Sequence, residues 1–308
     1  MYSIECKNLT KRYNGFTAVD GVDFTVDKGI ICGLLGPNGA GKSTVIRILS
    51  CQSLPDAGLA LVSNLDVVKD KREVLSSIGV VPQEHSFYSE LTVIENLLYF
   101  GSLYHMPIIE LKRRSNEILR LLELYEKRDS RSGTLSGGMK TRLNIACALV
   151  HEPKVVILDE PSVGLDPVSR RALWRTIREL KEEDVTFLLT THYMEEAEEL
   201  CDMIYIMNRG KIVARGSPME LKKSIGEDVV TIKSRPGRID VIKPNLEKLA
   251  GVSSCKVVRD MFMITMRDKE LDTILDVFKR HREKVISIEV TKPSLEDVFI
   301  HVTGEEWH

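Results

Sequence analysis

Nine consecutive residues, Gly36-Pro37-Asn38-Gly39-Ala40-Gly41-Lys42-Ser43-Thr44, carry the spacing G-x-x-x-x-G-K-[ST]. These residue types suit a phosphate chain. Glycines let backbone N–H groups approach an anion closely, and a helix starting at the lysine adds its partial positive charge. Lys42 can then reach the β- and γ-phosphates, and the Ser43 hydroxyl can face Mg²⁺. Elsewhere Lys154-Val155-Val156-Ile157-Leu158-Asp159-Glu160 is an apolar run ending in two carboxylates. Val185 to Thr191 is a second such run, with His192 at its end. Leu135-Ser136-Gly137-Gly138-Met139 has the chemistry of another helix start: Ser136 suits an N-cap, and the two glycines permit close approach. Asp166-Pro167 is a further helix start, with an acidic cap and proline at the first position.

The elements that must position these groups follow from hydrophobic pattern. Gly29 to Leu35, ahead of the glycine-rich turn, reads as a short buried strand, and Val45, Ile46, Ile48 and Leu49 behind it fall at helical spacing. Val155–Leu158 and Val185–Thr191 read as strands buried on both faces, whose carboxyl ends are where open α/β sheets place ligands. Residues 2–28 read as short alternating strands, with Val22, Phe24 and Val26 inward. Tyr13 falls in a turn there, and its ring could either stack on a base or cap the sheet edge. Between Asp56 and Gln83 the pattern is again short strands, ending in Ile78–Pro82. From Leu91 to Val150 it turns helical, with Ile94, Leu97 and Leu98 on one face and Ile118, Leu121, Leu122 and Leu124 on another. This block reads as an inserted helical subdomain of about residues 85–150. Four glutamates at 195, 196, 198 and 199 read as a solvated first helical turn favoured by the helix dipole.

Beyond Gly216-Ser217-Pro218 a helix over Met219–Ser224 leads into a different pattern. It reads strand (Val229–Lys233), helix (Leu246–Ala250), strand (Ser254–Arg259), strand (Phe262–Arg267), helix (Leu271–Arg282) and strand (Val285–Thr291). That βαββαβ order fits a small ferredoxin-like α+β domain. The boundaries expected are 1–224 for the nucleotide-binding domain and 225–308 for the accessory one. Near the end, Leu295, Val298, Phe299 and Val302 share a face that reads as intramolecular packing in preference to the alternative, a partner surface. The chain's 308 residues suffice for one large and one small domain, and a formal net charge of −2 does not mark a nucleic-acid binder. Six dispersed cysteines without a C-x-x-C suit a reducing cytoplasm. The uncharged runs are too short, and too broken by Gly or Pro, to span a bilayer. No N-K-x-D or T-K-x-D run is present to read guanine.

Taken together over residues 2–220, these motifs resemble the ATP-binding subunits of ABC transporters. Gly36–Thr44 is similar to the family's Walker A loop, Val155–Glu160 to Walker B with its catalytic glutamate, and Leu135–Gly138 to the signature motif. Gln83 resembles the Q-loop, Ser162–Asp166 the D-loop, His192 the switch histidine and Tyr13 the adenine-stacking aromatic. Met139 departs from the family's usual glutamine. The wording Glu160-Pro161-Ser162-Val163-Gly164-Leu165-Asp166-Pro167 and the tail Pro293–Phe299 resemble ATPases of the multidrug and daunorubicin-resistance (ABC-2) exporters.

The resemblance implies a P-loop ATPase core with antiparallel β and helical subdomains. ATP and Mg²⁺ are the implied ligands, with Ser43, Gln83 and Asp159 at the metal. Catalysis falls to Glu160, His192, Gln83 and Lys42, and Ser136, Gly137, Gly138 and Asp166 join the ATP site across a head-to-tail dimer. The second ATPase subunit is an identical copy or a paralogue, and residues 84–90, with Phe87 and Tyr88, meet integral membrane permease subunits. The implied location is the cytoplasmic face of the cell membrane, held there by the permease. An importer ATPase is the alternative. A soluble ABC ATPase acting on ribosomes or DNA is a further one, disfavoured by a single motif set and near-neutral charge.

Overall fold

The computed structural model describes residues 2–182, 184–226, 228–234, 239–258, 261–266, 271–281, 284–305 and 307. The chain divides into two compact units, residues 1–212 and 213–308.

The first unit opens with two long strands, β1 (Tyr2–Tyr13) and β2 (Phe16–Asp27), where the sequence pattern suggested several short ones. Asn14 and Gly15 join them with φ of 46° and 85°, the paired left-handed conformations that let a two-residue turn follow strand twist. Tyr13 and Phe16 are thereby opposed across the hairpin. Then come β3 (Ile31–Leu35), the glycine-rich turn, α1 (Lys42–Leu49), β4 (Ala57–Val62) and β5 (Leu65–Asp66). A helix that strand periodicity did not suggest follows, α2 (Lys71–Ser77), in which Val74 is the one buried side chain. With so little apolar surface to bury, its seven residues carry no 3.6-residue stripe to read. Next are β6 (Ile78–Val81), α3 (Val93–Leu103), α4 (Ile108–Leu121), α5 (Gly137–Leu149), β7 (Val155–Asp159), α6 (Pro167–Lys181), β8 (Thr186–Thr191), α7 (Met194–Leu200), β9 (Met203–Asn208) and, running across the boundary at residue 212, β10 (Lys211–Gly216).

Strands β2-β1-β4-β5 form one sheet, antiparallel throughout, and β10-β9-β3-β8-β7-β6 a second, in which β9-β3-β8-β7-β6 run parallel. Every residue of β3 is buried, as parallel strands covered on both faces require. Helix α1 touches β2 and β4 of one sheet and β7 of the other. Its Val45, Ile46, Ile48 and Leu49 therefore share one core with Ile4, Leu9, Phe24, Ile157 and Leu188. That burial anchors the glycine-rich turn from behind. Register then sets the site: Leu35 pairs with Thr191 and Asp159 with Thr190, so Gly36, Glu160 and His192 leave the sheet at one edge.

In the second unit α8 (Pro218–Ile225) precedes β11 (Asp228–Ser234), α9 (Ile239–Leu246), β12 (Val252–Val258), β13 (Met261–Met266), α10 (Leu271–Arg280), β14 (Val285–Thr291) and α11 (Leu295–Thr303). The sheet order β12-β13-β11-β14, antiparallel throughout, is that of a ferredoxin-like βαββαβ domain. The first helix lies earlier than its expected place at Leu246–Ala250. Pro244 reads as a break, yet it is accommodated inside α9, where Ile242 and Leu246 reach the core. The strand ends expected at Arg259 and Arg267, and the helix end at Arg282, lie outside the described residues. The terminal stripe packs: Leu295, Val298 and Phe299 are buried and Val302 is left exposed, with α11 against α8.

Candidate functional site

A cleft of about 710 Å³ lies over the glycine-rich turn. Asn38 to Thr44, Tyr13, Gln83, Glu160 and His192 line it, all singled out from sequence. Val163, within the Ser162–Asp166 stretch already noted, also lines it, as do Phe16, Ala18, Arg47 and Tyr193, which were not singled out. Phe16 is 65% exposed and Tyr13 40%, so two aromatic rings stand at the mouth.

The floor is rigid because two glycines admit backbone where no side chain fits. At Gly36 a Cβ would stand 2.5 Å from the Met207 carbonyl oxygen, and at Gly41, with φ +105°, 2.4 Å from that of Ala18. Lys42 is 4% exposed and its Nζ donates to the carbonyls of Gly36 (2.6 Å) and Pro37 (3.1 Å). Burial pushes its ammonium below the usual lysine value, and the nearby Glu160 pulls it back up.

Glu160 is the hub of the reactive edge. Its carboxylate lies 3.7 Å from Lys42 Nζ and 3.2 Å from His192 Nδ1, and it accepts from Gln83 Nε2 at 3.5 Å. Its backbone has φ +49°, unusual for a residue with a side chain, and two acceptors hold it there. The Glu160 N–H donates to the Thr190 carbonyl (3.1 Å) and to Thr190 Oγ1 (3.0 Å). Thr190 Oγ1 in turn donates to Asp159 Oδ1 at 2.5 Å, and Ser43 Oγ donates to the same oxygen at 3.3 Å. Thr190 was not legible as a site residue, since in the sequence it is one β-branched strand residue among others.

Two further groups sit elsewhere. Among the described residues lining the cleft there is neither Ser136, Gly137, Gly138 nor Asp166. Ser136 caps α5 by accepting from the Met139 N–H at 3.4 Å. A Cβ on Gly137 would meet open space, whereas one on Gly138 would lie 3.0 Å from Ser169 Oγ. Asp166 caps α6, accepting from the N–H groups of Val168 and Ser169 and from Ser169 Oγ, and the Ser169 bonds hold its carboxyl below the usual range. The segment after Gln83 is tied down by two asparagines: Asn144 Oδ1 accepts from Ser86 N and Oγ, and fully buried Asn96 accepts from Tyr88 N–H. Phe87 is buried and Tyr88 46% exposed.

One expectation is corrected. Glu196 is not part of a solvated helical turn: it is 0% exposed, and its Oε1 accepts from Ser162 Oγ and Trp174 Nε1. The reason is α6, whose Trp174 and Arg170 face α7 and remove that side of its first turn from water.

A parallel sheet that presents a glycine-rich anion cradle, two adjacent carboxylates and a histidine over one cleft defines a P-loop ATPase. The comparisons carry this to a family. Residues 19–163 match the ABC transporter family model, and residues 216–303 the C-terminal domain of DrrA1-3-like ATP-binding proteins. The chain is 36% identical to the linearmycin resistance ATP-binding protein LnrL of Bacillus subtilis, over 98% of both chains. It is 39% identical to the Nod factor export ATP-binding protein I of a Rhizobium species (99% and 98% covered). With the daunorubicin resistance ATP-binding protein DrrA3 of Streptomyces coeruleorubidus it shares 36% identity (99% and 96%). Among solved structures, cbiO1 of Clostridium perfringens superposes with a TM-score of 0.67 at 29% identity, covering 71% of this chain and 90% of that one. The chain belongs to the ATP-binding subunits of ABC transporters, of the export type, and is an ATPase that binds ATP. Among the described residues no helix is long and apolar enough to cross a membrane.

Proposed function

We propose that the cleft binds ATP with Tyr13, and Phe16 beside it, against the base and the 36–44 turn around the phosphates. Lys42 sits against the γ-phosphate, and Glu160 takes the proton of the attacking water as general base. His192 and Gln83, both already against the Glu160 carboxylate, hold that water and the γ-phosphate in line. Mg²⁺ fits the donors present: a hydroxyl (Ser43) and a carboxylate (Asp159) converge, with the Gln83 amide nearby, and oxygen donors suit this hard cation. Bound there with the nucleotide, it would neutralise charge on the β- and γ-phosphates.

The observation that carries the reading further is that, of the two anion-suited helix starts at α1 and α5 among the described residues, the first lines the cleft and the second does not. The α5 start, with Ser136, Gly137 and Gly138, serves the ATP held by a second ATPase subunit in a head-to-tail dimer, and Asp166 links the two sites. ATP between two helix N-termini joins the subunits, and its hydrolysis releases them. The segment 84–90, pinned by Asn96 and Asn144, is the surface proposed to meet the membrane permease. Named relatives serve linearmycin resistance, daunorubicin resistance and Nod factor export, so the cargo is assigned to the permease and the present chain to the motor at the cytoplasmic face of the membrane.

The test mixes two inactive variants, Ser136→Arg and Lys42→Ala. A mixed dimer then has one site with both defects and one with neither. Partial ATPase activity from the mixture, with none from either alone, is the expected result; no recovery despite demonstrated mixed dimers refutes sites completed in trans.

A further inference from the structure

Two segments flank the reactive edge, and one buried carboxylate at the start of the second bonds to the first. Ser162 lies two residues after Glu160, in a tight turn in which the Val163 N–H donates to the Glu160 carbonyl at 3.2 Å. Thr191 lies one residue before His192 at the end of β8. Glu196, in the first turn of α7 and four residues past His192, accepts from Ser162 Oγ and from Trp174 Nε1 at 3.1 Å. Trp174 Nε1 also donates to Ser162 Oγ at 3.2 Å, so three side chains from three segments close on one another. The group is fully enclosed, with Glu196 0%, Ser162 2% and Trp174 4% exposed. Arg170 covers it, its guanidinium 5.8 Å from the Trp174 ring and 5.3 Å from that of Tyr193.

Such a group is costly to build. Burial pushes the Glu196 carboxyl up, the bonds from Ser162 and Trp174 pull it back, and Oε2 has no hydrogen-bond partner among the described residues. An apolar residue would pack α7 against α6 without that cost. What an apolar residue would not do is fix Ser162 relative to the start of α7. Ser162 follows Glu160 by two residues and α7 begins just after His192, and Glu160 and His192 stand 3.2 Å apart.

We infer that Glu196 is a positioning residue for ATP hydrolysis, locking the turn after Glu160, through Ser162, to helix α7, whose N-cap Tyr193 directly follows His192. This rests on the proposed roles of Glu160 and His192. Glu196 is fully buried and does not line the cleft. It acts by holding the base and the histidine in register, and a displacement of about 1 Å at such a pair costs on the order of a hundredfold in rate. ATP binding, which depends on the 36–44 turn and Tyr13, is not routed through it.

Steady-state ATPase measurements on full-length Glu196→Ala, Glu196→Gln, Ser162→Ala and Glu160→Gln test this, with thermal unfolding of each. Glu196→Ala is expected to lower kcat about 10- to 100-fold with KM within about twofold, since loss of register affects the chemical step alone. Glu196→Gln keeps an acceptor oxygen for Ser162 and Trp174 and should recover kcat to within a few fold of the parent. Ser162→Ala is the smaller change. It should repeat the kcat loss, and it decides the matter if Glu196→Ala does not fold. Folded Ser162→Ala with unchanged kcat, or a Glu196→Ala defect confined to KM, overturns the inference, as does a Gln variant no better than Ala. Glu160→Gln separates the levels: normal hydrolysis by it overturns the underlying assignment, whereas an inactive Glu160→Gln beside a normal Ser162→Ala overturns the positioning role alone.

Discussion

Replacing Gly41 by alanine tests whether the phosphate cradle is set by backbone packing. Two glycines of the turn differ in one respect. Gly39 has φ +79° with nothing within 4 Å of a built Cβ, while Gly41 has φ +105° with the Ala18 carbonyl oxygen 2.4 Å away. Both substitutions force alanine into a left-handed conformation, at about 1–2 kcal/mol. For a domain of this size that is a fall in Tm of about 2–8 °C. Gly41→Ala adds a steric demand: the 2.4 Å approach must lengthen by about 0.6 Å to reach even 3.0 Å, and the atom in the way is backbone of β2. The turn therefore has to move, and its N–H groups move with it. Each hydrogen bond to a charged group is worth about 1.5–3 kcal/mol, so losing one weakens ATP binding roughly 10- to 100-fold. Titration with a fluorescent ATP analogue, with thermal unfolding in parallel, reads both terms. Gly39→Ala should lose stability with ATP affinity little changed, and Gly41→Ala should lose both. Equal affinities in the two variants refute the argument that contact with β2 sets the turn.

Tyr13→Ala should weaken ATP binding by about 1–3 kcal/mol, the worth of stacking a base on an aromatic ring, while leaving inorganic tripolyphosphate competition unchanged; a loss seen only with Phe16→Ala would move the stacking role to that ring. Glu160→Gln should retain ATP binding yet release phosphate about 10² to 10⁴ times more slowly, and normal release would move the base role to His192. The raised Glu196 carboxyl makes stability depend on pH. The folded state holds that proton when the unfolded chain has lost it, so stability falls as pH rises from about 4.5 through the raised folded value. Glu196→Gln lacks this contribution, and its Tm relative to the parent should climb across that window; parallel Tm-against-pH curves would count against it.

How much of this was legible in the sequence depends on the distance over which each feature is determined. The cradle at 36–44, the apolar strands ending at Asp159–Glu160 and before His192, and the Ser136 and Asp166 caps are local. A glycine that must accept close backbone, an unpaired N–H that needs a cap and a strand buried on both faces each leave their mark within a few residues. The small domain was legible for the same reason, through alternation and turns, and its helix near Pro244 was misplaced because a proline reads as a break unless the surrounding packing accommodates it. Tertiary structure decided what lies next to what. Parallel register brought Glu160 against His192 and Thr190, a hairpin put Phe16 beside Tyr13, and Trp174 on α6 turned Glu196 inward. In sequence, four glutamates in a helix's first turn are what the helix dipole favours in water. Whether one of them is buried depends on a partner 22 residues away, and no local pattern encodes that distance.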